Sequence, residues 1–267
     1  MRDELATRVP VTRYDGSAGS TELDWVSIEE PLEIRIGEKP LSVTMRTPGE
    51  DFALAAGFLL GESVVTDRLA IESIRHWGSP NVVRVDLREG ERIDFQRLQR
   101  HFYSTSSCGV CGKTSIEALR VHAKPVESRL QLSAATLASL PAAMRERQES
   151  FASTGGLHAA ALFDAGGTLL SIHEDVGRHN AVDKVIGSAF LDSQWPLDER
   201  LLFVSGRVSF EILQKAIVAR IGVVAAISAP SSLAIDLARD FNVTLAGFVR
   251  GERFNLYTGA ERLSFRP

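Results

Sequence analysis

The feature that most constrains this chain lies between residues 201 and 248, where apolar runs alternate with amphipathic helical patterns. Leu201 to Ser205, Val223 to Ser228 and Val243 to Phe248 read as strands. Between them Ser209 can cap a helix carrying Phe210, Leu213, Ile217 and Ile221 on one stripe. Ser231 or Ser232 can cap another carrying Leu233, Leu237 and Phe241. Strand, helix, strand, helix, strand is the pattern of a parallel sheet with helices packed on it. His158 to Phe163 and Thr168 to His173 add two more strands. Leu32, Ile34 and Ile36, followed across Gly37-Glu38-Lys39-Pro40 by Leu41, Val43 and Met45, make an antiparallel hairpin. The expected class is therefore α/β with a mixed sheet, helices packed on it, and an N-terminal region containing a β-hairpin.

Thr47-Pro48-Gly49-Glu50 has the form of a capping box ahead of Phe52, Ala55, Ala56 and Leu59, which predicts a helix ending near Gly61. Asn81 to Leu87 predicts another strand. Ser139-Leu140-Pro141 predicts a helix start with proline in the first turn, running to about Glu149. Residues 1–25, polar and bearing Gly16-Ser17-Ala18-Gly19-Ser20, are expected to be a poorly ordered leader. Residues 26–135 form an N-terminal region that includes a cysteine loop, and residues 136–267 an α/β region continuous with it.

The chain has 267 residues, enough to bury roughly three-quarters of its unfolded surface. Hydrophobic residues at 44% and charged residues at 24%, without an apolar run of membrane-spanning length, exclude disordered, collagenous and transmembrane classes. A net charge of −4 argues against a protein that coats nucleic acid. The start, Met1-Arg2-Asp3-Glu4-Leu5, has no secretory character, so a cytoplasmic location is expected, with neither membrane nor nucleic acid as partner.

Only two cysteines occur, Cys108 and Cys111, in Ser107-Cys108-Gly109-Val110-Cys111-Gly112-Lys113. Two thiols this close can exchange or bridge, the glycines leave the backbone unhindered, and Lys113 with a helix expected over Thr114 to Val121 would favour thiolate. Half of a zinc site is the competing reading, but His101 and His122 do not supply the usual second ligand pair, so no metal is assigned. A thioredoxin-type motif would follow a strand near the chain start. Zinc deaminases combine H-x-E with a later P-C-x-x-C, whereas here His158-Ala159-Ala160 follows the cysteines and has alanine in place of the glutamate. Sulfur or redox chemistry remains.

Three strands end in small polar residues: Ser205-Gly206-Arg207, Ser228-Ala229-Pro230, and Gly247-Phe248-Val249-Arg250-Gly251-Glu252-Arg253. Ligands of open α/β sheets bind outside the carboxyl ends of strands, where helix N-termini offer N–H groups to anions. Each alone is explained as a capped βα turn. Together, with Arg207, Arg250 and Arg253, they fit a phosphate-bearing ligand. His173-Glu174-Asp175-Val176-Gly177-Arg178-His179 could supply acid and base, or Glu174 and Asp175 could serve as helix caps. Spacing leaves both open.

Cys108-Gly109-Val110-Cys111-Gly112, Gly156-Leu157-His158-Ala159-Ala160, His173 to His179, Ser205-Gly206-Arg207-Val208-Ser209 with Glu211, and Gly247-Phe248 resemble the FdhD family, in order, from about Leu32 to Thr258. That family comprises sulfur-carrier accessory proteins of formate dehydrogenase. The resemblance implies a cytoplasmic homodimer with a cytidine-deaminase-like fold. Such a protein takes sulfur from a cysteine desulfurase and passes it to the molybdenum bis(molybdopterin guanine dinucleotide) cofactor that formate dehydrogenase receives. GDP would mimic that cofactor, and no zinc is needed. It further implies that Cys108 forms the persulfide, that Cys111 is its exchange partner, and that Phe248, Val249, Arg250, Gly251, Glu252 and Arg253 bind cofactor. Ser205, Arg207 and Ser228 complete the expected rim. The family varies in the middle of that segment, so Phe248, Gly251 and Arg253 fit its pattern better than Val249 or Glu252. Two rivals are a chaperone that holds the cofactor without sulfur chemistry and a dithiol oxidoreductase.

Overall fold

The computed structural model describes residues 5–91 and 123–265. A ribbon of β1 (Ala6–Tyr14) and β2 (Gly19–Ser27) comes first, then β3 (Glu30–Ile36), β4 (Lys39–Arg46), helix α1 (Asp51–Gly61), β5 (Ile71–His76) and β6 (Val82–Leu87). After residue 123 come β7 (Leu132–Ser133), α2 (Ala134–Arg145), α3 (Glu149–Thr154), β8 (His158–Phe163), β9 (Leu169–Asp175) and α4 (Arg178–Leu191). The remainder is β10 (Leu201–Val204), α5 (Phe210–Val218), β11 (Val223–Ala226), α6 (Ser232–Asp240), β12 (Thr244–Arg250), β13 (Arg253–Thr258) and β14 (Leu263–Ser264).

A six-stranded sheet, in the order β13-β12-β11-β10-β8-β9, is mixed: β10, β11 and β12 run parallel, while β8, β9 and β13 pair antiparallel with their neighbours. Its inner strands β8, β10, β11 and β12 are apolar on both sides because both faces are covered there. Leu202, Val204, Val224 and Leu245 join the core built with α1, α4, α5 and α6. Leu201, Phe203, Val223 and Ala225, one residue out of phase, face Leu137, Leu140 and Met144 of α2. A four-stranded sheet, β4-β3-β6-β5, packs Leu32, Ile34, Val83 and Val85 into the first core, so one core runs through both halves of the chain. No helix among the described residues is long and apolar enough to cross a membrane.

The mixed α/β class and the strand-helix alternation after residue 201 match the expectation, as does the hairpin β3–β4. Other readings are corrected. Most of the expected leader is the β1–β2 ribbon, paired from Ala6↔Ser27 to Tyr14↔Gly19. The Gly/Ser cluster is its turn, where Asp15 Oδ1 accepts from Ser17 N, Ser17 Oγ and Ala18 N, and Gly16 has φ +97°. These hydrogen bonds, that of Ser17 foremost, hold the Asp15 carboxyl at about 2. Thr47 does not cap α1, which starts after Glu50 at φ +56°. Thr47 is buried instead and reaches across the chain, its Oγ1 accepting from Val176 N at 3.2 Å and its carbonyl from Lys184 Nζ at 2.8 Å. Helix α2 begins ahead of the predicted point, capped by Ser133 Oγ accepting from Thr136 N at 2.9 Å, with Pro141 inside it. Burial of Leu137, Leu140 and Met144 overrides the proline signal.

Candidate functional site

Because β10, β11 and β12 are parallel, their carboxyl ends lie on one rim, and antiparallel β8 begins there with His158. Helices α5 and α6 start from that rim, and α4 starts beside it, since His158 pairs with Asp175 at the end of β9. Backbone hydrogen bonds knit the loops together: Val208 N to Ala229 O at 3.2 Å, Ser231 N to Val208 O at 2.9 Å, and Phe248 N to Ser228 O at 3.1 Å. The topology therefore brings the expected residues Ser205, Arg207, Ser228 and Phe248 to one edge of the sheet.

Their roles differ. Ser205 Oγ accepts from Ala159 N at 2.9 Å, so this hydroxyl joins β10 to β8. Arg207 is exposed. Phe248 holds φ +54° with its ring 41% exposed, a left-handed backbone that bulky residues avoid. Gly247 precedes it where a Cβ would lie 2.9 Å from Pro230 Cδ and 3.1 Å from Ser228 O, so glycine is required by close approach. Val249 is fully buried and its side chain belongs to the core, which removes it from the set of side chains able to touch a ligand. Gly251, at φ +55°, and Glu252 form the two-residue turn between β12 and β13, with glycine in the first position that a type II′ turn favours. Arg250 and Arg253 are directly opposed across that hairpin, both exposed. Like charges so placed repel, and no ion pair among the described residues involves either one. An anion would relieve that repulsion.

On the other flank the structure assembles groups that sequence spacing did not join. His179 Nε2 lies 3.1 Å from Ser209 Oγ and 3.8 Å from a Glu211 oxygen. Ser209 occupies the N-cap position of α5 as expected but makes no capping bond with its side chain, which turns to His179 and Glu211. Burial, reinforced by the positive charges of Arg178 and Lys215, lowers His179 to about 4. Burial and Arg178 likewise lower His158. Both imidazoles are therefore neutral at neutral pH. The available signal was the position of Arg178-His179 between a strand end and a helix start.

The remaining residues of that string are structural. Glu174 accepts from Ser150 N at 3.0 Å and Phe151 N at 2.9 Å, closing the start of α3. Asp175, with no exposure, pairs with Lys184 Nζ at 2.8 Å and accepts from Gly177 N, Asn180 Nδ2 and Thr47 N. The capping reading accounts for Glu174, at α3, whereas Asp175 is held in a buried ion pair and makes no bond to a first-turn N–H of α4; burial lowers His173. Cys108, Cys111 and the helix expected after Lys113 lie outside the described residues.

An open mixed sheet whose parallel strands end in a basic rim bearing an aromatic ring has the layout of the α/β ligand-binding proteins. Comparison with known proteins narrows that class. The family model described as the FdhD/NarQ family matches residues 27–264. The sulfur carrier protein FdhD of Streptomyces coelicolor is 48% identical over 98% of this chain and 97% of its own. That of Sulfolobus acidocaldarius is 45% identical over 93% and 94%. The crystal structure of a candidate formate dehydrogenase accessory protein from Desulfotalea psychrophila superposes with a TM-score of 0.80, covering 97% of this chain and 100% of that one at 24% identity, which establishes the shared fold. The chain belongs to the FdhD/NarQ family.

Proposed function

We propose that this protein is a sulfur carrier serving formate dehydrogenase, a sulfurtransferase acting as a cytoplasmic homodimer. The observation that carries the reading is similarity along nearly the whole chain to proteins named sulfur carrier protein FdhD. Cys108 thiolate attacks the terminal sulfur of a persulfide on a cysteine desulfurase. A bond forms from Cys108 Sγ to that sulfur, the donor's S–S bond breaks, and the donor cysteine leaves as thiolate. The substrate that receives the sulfur is the molybdenum bis(molybdopterin guanine dinucleotide) cofactor. On transfer, Cys111 thiolate attacks Cys108 Sγ. The outer sulfur leaves at the sulfide level for the metal, and the two thiols are left as a disulfide that a cellular dithiol reductant reopens.

The rim supports the second half of this reading. Phosphate oxygens fit Arg250 and Arg253, opposed across the hairpin and without an ion pair among the described residues, Arg207 stands at the end of β10, and the exposed Phe248 ring offers a stacking face for guanine. Ser228 contributes its carbonyl to the position of Phe248. A cytidine-deaminase-like lineage belongs to the same proposal, supported by a β-hairpin joined edgewise to parallel strands with helical crossovers.

The test is intact-protein mass spectrometry with peptide mapping after incubation with a cysteine desulfurase and cysteine, without reductant. The expected result is a reducible gain of one sulfur at Cys108. No gain on either cysteine, with an active desulfurase, would overturn sulfur transfer in favour of a chaperone that only holds the cofactor. Turnover of a general disulfide without any desulfurase would favour the oxidoreductase.

A further inference from the structure

The Arg178 side chain is the charged group at the rim whose hydrogen bonding the fold leaves incomplete. Its Nε is shielded from solvent and has no hydrogen-bond partner among the described residues, and none of the ion pairs there includes its guanidinium. An Arg N–H removed from water without an acceptor is costly, and such groups are rare in native proteins unless something else supplies the acceptor. Arg178 opens α4 directly after Gly177, which provides no side-chain cap, so the first backbone N–H groups of a long helix lie beside it. The neighbouring α5 starts at Ser209, whose hydroxyl likewise makes no capping bond to its own helix's backbone and engages the His179 and Glu211 side chains.

Gly206, at the end of β10, lets these groups close in. A Cβ there would lie 3.3 Å from His158 Nδ1 and 3.5 and 3.6 Å from Arg178 Cβ and Cδ. The arginine stem and the His158 ring are thus packed against the first turn after β10, between β8 and Arg207. The charge balance is positive. His158 and His179 carry no charge at neutral pH, burial being the first cause and Arg178 the second. Two carboxylates face this cluster: Asp175, beside His158, is neutralised by Lys184 at 2.8 Å, and Glu211, against the burial that would raise it, is held ionised and engaged by the Ser209 hydroxyl. Lys215, buried behind His179, is paired with Asp183 at 2.8 Å.

We propose that Arg178, with Arg207 and His158, binds a phosphoryl group of a nucleotide diphosphate, forming a subsite separate from the Arg250/Arg253 pair. A planar guanidinium fork matches two phosphate oxygens, a neutral imidazole can donate one further hydrogen bond, and helix N–H groups favour the same charge. Two strand spacings, roughly 10 Å, separate β10 from β12. The inference rests on the proposed nucleotide-bearing substrate and adds to it which residues hold the phosphates at the β8–β10 flank.

The test is calorimetric titration of the full chain with GDP and, separately, with inorganic pyrophosphate. Arg178→Gln is expected to weaken both at least tenfold with an unchanged far-UV circular dichroism spectrum. Arg178→Lys, which keeps the charge and loses the fork, is expected to weaken both severalfold, and it stands in if the glutamine variant fails to fold. Unchanged affinity in a folded Arg178 variant, or no binding of either ligand to the natural chain, would overturn the inference. Sulfur loading of the natural chain is measured in parallel. Loading without Arg178-dependent binding removes the subsite alone, and Arg178-dependent binding without loading removes the sulfur-carrier reading alone.

Discussion

Phe248 holds a conformation that costs a bulky residue about 1–2 kcal/mol, at φ +54° with its ring 41% exposed. The hydrogen bond from its N–H to Ser228 O and the close approach at Gly247 impose that backbone, and the strained turn aims the ring along the rim. Glycine at this position would relieve the strain but give up the more than half of the phenylalanine surface that is buried. That loss, about 2.5 kcal/mol for roughly 100 Å², together with about 0.4–1 kcal/mol for the greater freedom of glycine in the unfolded chain, outweighs the strain, so Phe248→Gly is expected to lower stability by about 1–2 kcal/mol, read by urea denaturation. The same variant is expected to bind GDP more weakly, because the stacking face is gone. Unchanged or higher stability in the variant would show that the strain outweighs the packing of the ring. The sequence marks Phe248 through its place after a strand and through family resemblance, and it marks Gly251 through turn chemistry. It cannot show that Val249 faces the core, because the strand's alternation breaks at the bulge between Gly247 and Arg250. Nor can spacing join His179 to Ser209, residues that meet only when β9 and β10 deliver two helix starts to one place.

At the scale of elements, the contact between α1 and α4 fixes how the N-terminal half sits on the larger sheet. The helices touch backbone to backbone. A Cβ on Gly57 would lie 1.9 Å from the Asp183 carbonyl oxygen, and one on Gly187 would lie 1.9 Å from that of Ala53. Backbone atoms cannot yield as a side chain does, so Gly57→Ala or Gly187→Ala must drive the helices apart. Either is expected to cost about 3 kcal/mol or more, seen as a lower denaturation midpoint at an unchanged slope. A cost under 1 kcal/mol would mean the helices are not so close. The glycines stand in the sequence without announcing a crossing, since an isolated glycine in a helical pattern reads only as a weak position. Strands β8, β10, β11 and β12 were legible because sheets covered on both faces need continuous apolar runs. The β1–β2 ribbon was not, because Thr, Arg and Glu alternate with its apolar residues and the Gly/Ser cluster resembles a tail as much as a turn. The false cap at Thr47 has the same origin: a local motif was taken up by Asp175, Val176 and Lys184, which are distant in sequence.

At the scale of the molecule, a net charge of −4 coexists with a rim on which Arg178, Arg207, Arg250 and Arg253 gather. The acidic remainder keeps the chain from binding polyanions indiscriminately, while the rim concentrates positive potential where helices α4, α5 and α6 begin. A sulfur carrier for a nucleotide-bearing cofactor has two tasks with different chemistry. Thiolate exchange needs a cysteine and its donor, and substrate holding needs phosphate ligands and a stacking face. Among the described residues the rim includes no cysteine side chain, so the two tasks are expected to separate by mutation. Cys108→Ala should abolish sulfur loading from a desulfurase and keep GDP affinity within about twofold. Arg253→Ala should lower GDP affinity about tenfold, the scale of one charge-assisted phosphate contact of about 1.5 kcal/mol. The Arg253 effect should also shrink as salt is raised, since its charge is exposed and screened. Persistent loading in Cys108→Ala would move the persulfide to Cys111. Unchanged GDP affinity in Arg253→Ala at low salt would mean that the opposed arginines of the β12–β13 hairpin repel each other without a phosphate to hold.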